Sequence, residues 1–347
     1  MSISDPASDS GKVTINDVAR LAGVSKKTVS RVINRSALLS DDTRTRIQQI
    51  IKETGFVPNP QARALALRRN FLVGLVHDNP NAQMVLNAQQ GILEALHDTE
   101  FELLVRPVDR SSPDMLDDIS AFLARQRPYG VIVLPPISED DRVTRLCTEF
   151  GCRYVRMGSA ELDGPDNMVA SNDRDAVSEA VRFLIEQGHE RIGLVAGPHG
   201  FRSAAERMAG FRAAIEGAGL KLPRTLIAQG NYTFESGVAA GDKLFDHLPR
   251  PTAIFASNDE MAAGVLQAAK IRGIDVPEDL SIVGFDDTPV AAHIWPPLTT
   301  VRWPIAVMAR AAAHKLIQTA YPEQEAEVAS LFPSSLIRRS SVAPPRS

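Results

Sequence analysis

Only two cysteines occur in the 347 residues, Cys147 and Cys152. Their C-x4-C spacing has no second pair and no histidine pair beside it, which argues against a zinc site or a disulfide framework and leaves two reduced thiols. Long apolar runs are missing as well: none approaches the ~20 residues that a membrane-spanning helix requires. The first ten residues, MSISDPASDS, are polar and contain no apolar core of a leader, so a cytoplasmic rather than a secreted protein is expected. The sequence lacks G-x-G-x-x-G, a P-loop, H-E-x-x-H and G-x-S-x-G, the motifs that position phosphates, zinc or a nucleophile. Its seven histidines are dispersed; His189, in EQGHER, reads as a packing residue at a helix–strand corner. No catalytic residue, no metal ligand set and no cofactor is expected, and the chain does not read as an enzyme.

Charge of one sign is scarce overall but not locally. The net charge is −4, yet residues 1–70 hold 12 Lys and Arg against 6 Asp and Glu, and the remainder holds 26 against 36. A basic head on an acidic body implies that the head alone approaches a polyanion.

Three blocks follow one another: a head over residues 12–58, a hinge over 59–70 and a large unit over 71–340. In the large unit apolar strands alternate with amphipathic helices: FLVGLV, ILEALHDTE, FELLV, DDISAFLARQ, GVIVLPP, and then again from EAVRFLIEQGHERIGLVAG to LSIVGFDD. That alternation predicts α/β units with parallel sheets. Its restart after residue 170 predicts two successive lobes of roughly 100 residues or more each. Ligands bind beyond the carboxyl ends of parallel strands, so two such lobes frame a cleft.

The head is the most informative stretch. In TINDVARLAGVSKKTVSRVIN, Thr14 caps a first helix and Asp17 completes a capping box. Ile15, Val18, Ala19 and Ala22 form one apolar stripe. Gly23 supplies the tight turn, and Ser25 caps a second helix from Lys26. Val29, Val32 and Ile33 face inward, which leaves Lys26, Lys27, Ser30 and Arg31 outward. A third helix from Ser40 brings Ile47, Ile50 and Ile51 to a three-helix core. A helix-turn-helix of this kind inserts the start of its second helix into the major groove, where Lys26, Lys27 and Arg31 can donate to guanine edges. Ser25, Thr28 and Ser30 suit phosphates, and Thr14 and Asn34 complete the candidate DNA contacts. In the hinge, PNPQARALALRRN offers a helix too short to stand alone. Leu65 there could wedge into a minor-groove step while Arg63, Arg68 and Arg69 meet phosphates; the plainer reading is a basic linker.

These motifs, with LIEQGHERIGLVAG, ERMAGFRAAIEGAG, AIFASNDEMAAGVLQAAKIRGIDVPEDLSIVGFDDTP and WPPLTTVRWP, resemble the lactose/purine repressor (LacI-type) family over nearly the whole chain. The resemblance implies a helix-turn-helix head, a hinge helix and a sensor similar to a periplasmic sugar-binding protein. It implies a homodimer on a pseudo-palindromic double-stranded operator, with Lys26, Lys27 and Arg31 on bases and Leu65 as the wedge. The family's tetramer-forming leucine heptad has no counterpart in residues 335–347, so the dimer is the expected state.

For the effector the resemblance implies Arg207 as a clamp on a hydroxyl pair or a carboxylate, with Asn258, Asp259 and Asp286 at strand ends and Tyr232 beside them. Asp259 reads equally well as a helix cap, and Asp287 as a turn residue. Two positions depart from the pattern. Asn172, followed by Asp173, stands where the family often has Asp, and Trp303 stands in LTTVRW where an amide is usual. The indole either stacks on a sugar ring or fills the pocket. The function implied is repression of carbohydrate genes, relieved by a sugar-like effector. Co-repression by a biosynthetic product, or sugar binding with no DNA role, are the alternatives.

Overall fold

The computed structural model describes residues 13–33, 39–57, 70–79, 81–321 and 327–346. The chain divides into two compact units, residues 1–71 and 72–347. Asn34, Arg63 and Leu65 lie outside the described residues, as do Arg68 and Arg69.

In the first unit, local chemistry sets the helix ends. The Asp17 amide donates to the Thr14 hydroxyl at 3.4 Å while the Thr14 amide donates to the Asp17 carboxylate at 3.0 Å, and α1 (Ile15–Leu21) begins there. Gly23 turns the chain with φ 63°, a backbone state that glycine adopts without steric cost. The Thr28 amide donates to the Ser25 hydroxyl at 3.1 Å to start α2 (Lys26–Ile33). Two acidic residues open α3 (Asp41–Thr54), which ends in left-handed Gly55. Val18, Ala19, Ala22, Val29, Val32, Ile47 and Phe56 close the core, with Ile15, Ile33, Ile50 and Ile51 packed at its margin. Val18, Val29 and Ile47, each 0% exposed, contribute about 1.5–3 kcal/mol of transfer free energy apiece, which helps hold three short helices that would not persist alone.

The second unit carries two six-stranded sheets. Its strands are β1 (Leu72–His77), β2 (Glu102–Pro107), β3 (Gly130–Val133), β4 (Arg153–Gly158), β5 (Met168–Ser171), β6 (Ile192–Ala196), β7 (Ile227–Gln229), β8 (Ala253–Ala256), β9 (Ser281–Asp286), β10 (Thr299–Arg302), β11 (Leu331–Phe332) and β12 (Ser335–Ile337). The first sheet has the order β11-β5-β4-β3-β1-β2 and the second β12-β10-β9-β8-β6-β7. Among the described residues every strand pairing is parallel except β10 with β12. Leu75 of β1 lies opposite Val105 on one side and Ile132 on the other. The central strands are buried throughout, as parallel strands covered by helices on both faces must be.

The alternation read from the sequence is borne out, but the lobes are interleaved rather than successive. After β10 the chain returns to the first lobe, where helix Ile305–Ile317 packs on helix Ala82–Leu96 so closely that a Cβ on Gly91 would lie 2.0 Å from the Ala306 carbonyl. A Cβ on Gly210 would likewise meet the Arg174 carbonyl at 2.1 Å, locking helix Asp173–Glu186 to helix Arg202–Gly217 in the second lobe. β11 then joins the first sheet and β12 the second. Three crossings therefore link the lobes, at Asn172, at Trp303–Pro304 and at Pro333–Ser334. Periodicity is a local property and does not reveal which sheet an element joins.

His189 sits where helix Asp173–Glu186 feeds β6, and both ring nitrogens are used. Nδ1 meets the Thr252 hydroxyl at 3.0 Å, and Nε2 lies 3.0 Å from the Ser281 hydroxyl and from the Ala343 carbonyl, which fastens the tail to the second sheet. Burial lowers its pKa from the ordinary 6.5. A depressed pKa contributes stability that is complete above the unfolded value and is lost as pH falls through the folded one. His189→Ala is expected to cost about 1–3 kcal/mol at neutral pH, read by urea unfolding. As pH falls below about 6.5, the wild type should lose more stability than the variant does.

Candidate functional site

Two surfaces have the makings of a site, one in each unit. In the first, α2 presents Lys26 and Lys27 fully exposed at its start, with Ser30 and Arg31 half-buried along the same helix. No acidic side chain occupies its first turn, so the positive end of the helix dipole and two lysines face outward together. The Ser25 hydroxyl is shared with the Thr28 amide and hydroxyl, and the Thr14 hydroxyl donates to Asp17 at 2.7 Å. These hydroxyls shape the turn first; the lysines remain the outward donors.

The second surface is a cavity between the lobes, about 540 Å³ including its open mouth. The first lobe supplies Asn79, Asn81, Met84, Pro135, Pro136 and Ser159. From the second lobe come Phe201, Ser203, Arg207, Tyr232, Asn258 and Asp286, with Trp303 at a crossing. Most follow the carboxyl ends of strands in one or other sheet, which is where parallel sheets expose unpaired backbone and helix starts.

Arg207 is the centre of this site. Its Nε donates to Asp173 Oδ2 at 2.9 Å and its Nη1 to the Ser257 carbonyl at 2.6 Å, while Nη2 lies 3.9 Å from Asp286 Oδ1. The guanidinium also lies 3.6 Å from the centre of the Phe285 ring. Burial works against its charge, but the neighbouring Asp173, Tyr232 and Asp286 outweigh that and its pKa is raised. Burial pushes the Asp286 carboxyl well up, against the pull of Arg207. Tyr232 and Asp286 hold φ of 70° and 109°, a conformation that costs non-glycine residues energy and is retained where surrounding structure enforces it.

A hydrogen-bonded relay runs outward from Arg207. Asp173 Oδ1 accepts from Ser171 at 2.6 Å, and the Ser171 hydroxyl accepts from Trp303 Nε1 at 2.8 Å. The relay joins the first two crossings and turns the indole N–H away from the cavity, leaving the ring as wall. Across the mouth, Glu139 of the first lobe accepts from the amides of Arg202 and Ser203 at 2.8 and 3.4 Å, and the Arg110 guanidinium stacks 4.1 Å from the Phe201 ring centre.

Arg207, Asn258, Asp286, Trp303 and Tyr232 thus converge on the cavity, whereas Asp259 and Asn172 do not line it. Asp259 is fully buried, and its oxygens take the Thr288 amide at 2.7 Å, the Thr288 hydroxyl at 3.1 Å and the Thr300 hydroxyl at 2.5 Å. Burial pushes its carboxyl up to about 7 while these donors pull it down. It braces the ends of β9 and β10. The capping role weighed for Asp259 falls to Asn258, whose Oδ1 accepts the Met261 amide at 3.0 Å while Nδ2 donates to the Tyr232 carbonyl at 3.0 Å. Asn172 accepts the Ser334 amide at 2.8 Å and ties the first crossing to the third. Asp287 clamps Arg302 at 2.7 Å and Arg339 at 2.6 Å, more than a turn residue would.

Sequence reasoning missed Asp173, Asn81, Ser203 and Glu139. Asp173 was visible as the acid one place after Asn172; the others lie in loops or at helix starts that no periodicity marks. Both cysteines are buried, and burial pushes each thiol up to about 12, so neither is a nucleophile. Among the described residues no group of three His, Cys, Asp or Glu side chains converges as metal ligands do, and no helix is long and apolar enough to cross a membrane.

Residues 14–59 match the bacterial regulatory proteins of the lacI family, and residues 181–342 match the periplasmic binding protein-like domain. Among characterised proteins, the chain is 36% identical over 336 residues to the HTH-type transcriptional regulator CelR of Thermobifida fusca, covering 94% of this chain and 98% of that protein. A solved complex of transcriptional regulator CelR with cellobiose superposes with a TM-score of 0.71 at 33% identity, covering 95% of this chain and 99% of that one. The lac repressor dimer bound to operator and the anti-inducer ONPF superposes with a TM-score of 0.78 at 27% identity, covering 96% and 100%. The chain belongs to the lacI family of bacterial regulatory proteins, and is a DNA-binding transcription regulator with a two-lobed sensor rather than an enzyme.

Proposed function

We propose that this chain is a cytoplasmic repressor of carbohydrate genes that binds a pseudo-palindromic operator as a homodimer and leaves it when a sugar-like effector fills the cleft. The observation that carries this reading is the pairing, in one chain, of an exposed basic recognition helix with a two-lobed cavity built around Arg207. Relatives similar over their full length point the same way: one is seen with cellobiose, another as a dimer on its operator. The head supplies affinity through phosphates and discrimination through base edges. The cleft supplies the switch, because a ligand shifts a two-state equilibrium by its differential affinity for the two states. Residues 59–70 carry the signal between the units in this reading, with Leu65 as the wedge and Arg63 on phosphate.

The deciding experiment is a mobility-shift titration of a fragment from the protein's own promoter neighbourhood at low salt, with and without a panel of mono- and disaccharides. Retardation relieved by one sugar supports induction. Retardation strengthened by a small molecule replaces induction with co-repression, and no retardation under any condition removes the repressor reading.

Two substitutions divide the DNA contacts. Lys27→Ala should cost about 1–3 kcal/mol on the specific site and relax base preference there, measured by competition against single-base operator variants. Leu65→Ala should weaken operator binding far more than binding to random duplex, because a wedge acts only on the deformed site. Equal losses on both would assign Leu65 to the linker alone. A further expectation concerns stability: the inducing sugar raises the melting temperature by mass action, and this shift should vanish in Arg207→Lys, which keeps the charge but loses the fork.

A further inference from the structure

The charge balance around Arg207 points to the chemical class of the effector; the inference rests on the reading of this cavity as the effector site. Among the described residues that line the cavity, Arg207 is the one cationic side chain. It faces two acids that are themselves buried: the Asp173 side chain is 0% exposed and that of Asp286 is 9% exposed. With Asp286 ionised the cluster is net negative, and with Asp286 protonated it is neutral. Neither state leaves a positive charge for an incoming anion.

The surroundings do not restore one. Asp259 and Glu260 add negative potential at Asp286. At the mouth, Arg110 lies 4.0 Å from Asp78 and stacks on Phe201, and Glu139 sits between the charges of Arg110 and Arg202, so the two cations there face two acids. A carboxylate or phosphate entering the cavity would lose its hydration and meet more acid than base.

What the cavity does offer is a match for hydroxyl groups. Asp286 presents carboxyl oxygen at 3.9 Å from the guanidinium, longer than a hydrogen bond, and is available to a hydroxyl donor. Asn81 caps helix Ala82–Leu96 through Oδ1, accepting the Gln83 and Met84 amides at 3.0 and 3.3 Å. Asn81 lines the cavity, and its Nδ2 is buried with no acceptor among the described residues, a donor left for a ligand oxygen. Trp303 and Phe201 add flat apolar wall, and the Trp303 N–H is already committed to Ser171. A hydroxyl donates to the first group and accepts from the second; a sugar ring covers the third. We propose that the cleft takes an uncharged saccharide and rejects the corresponding sugar acids and sugar phosphates.

The test uses the full-length chain and matched probes: glucose, glucuronate and glucose 6-phosphate; galactose and galacturonate; cellobiose and cellobionate. Titration calorimetry gives each affinity, in wild type and in Asn81→Asp. Aspartate keeps the cap acceptor and is itself a favoured cap, so the free variant should melt like the wild type. It replaces the waiting donor by an acceptor. The expected result is a neutral probe binding at least about tenfold more tightly than its charged counterpart, with about a tenfold loss in Asn81→Asp. A charged probe that binds as well as or better than its neutral partner, and is lost in Asn81→Asp, overturns the proposal while leaving the cavity as the effector site. If no probe binds, or if binding ignores Asn81→Asp, the cavity reading falls and the proposal with it.

Discussion

The buried ion pair between Asp173 and Arg207 is the constraint around which the sensor is organised. Both groups are withdrawn from water, so each depends on the other, and removing one partner of such a pair typically costs about 3–5 kcal/mol. The pair is not isolated. Asp173 opens the helix that follows the first crossing, Arg207 lies on the helix packed beside it, and Phe285 of β9 lies under the guanidinium. Ser171 and Trp303 extend the same network to the second crossing. One charge therefore fixes cavity floor, strand end and hinge together, and any ligand that touches Arg207 or Asp286 touches the joint between the lobes.

The mouth of the cleft is held by contacts of another kind. Glu139 on the Arg202 and Ser203 amides, and Arg110 on Phe201, bridge the lobes across the mouth. Hydrogen bonds weaken steeply with misalignment, so these contacts exist in a narrow range of lobe angles and are lost together outside it. Packed interfaces of this sort are bistable rather than continuously deformable.

Much of this was legible in the sequence, for reasons that differ by element. Thr14, Asp17, Gly23 and Ser25 act within three residues of their partners, so the head could be derived from local chemistry alone. The strands of the sensor are buried on both faces and read as continuous apolar runs. Arg207, Asn258 and Asp286 were reached through family resemblance and strand-end position, and all three line the cavity. Asp259 was placed with them because it follows Asn258, but the next position on a helix points elsewhere, here to Thr288 and Thr300. Glu139 owes its role to partners distant in the chain, and although Asn81 caps a helix locally, its place in the cavity wall follows from the fold and not from any spacing rule. The interleaving of the lobes escaped for the same reason: it is a matter of pairing between Ala170 and Leu331, not of pattern.

That interleaving also has a bearing on how the protein is made. During synthesis the first sheet emerges early, yet its helix Ala82–Leu96 waits for Ile305–Ile317 and its edge waits for Leu331. Such long-range closures are slow and leave apolar surface uncovered in the meantime. The head, with its own core over residues 13–57, has no such wait. A ribosome that stalls midway would thus release a finished DNA reader attached to an unfinished body, exposed to proteases.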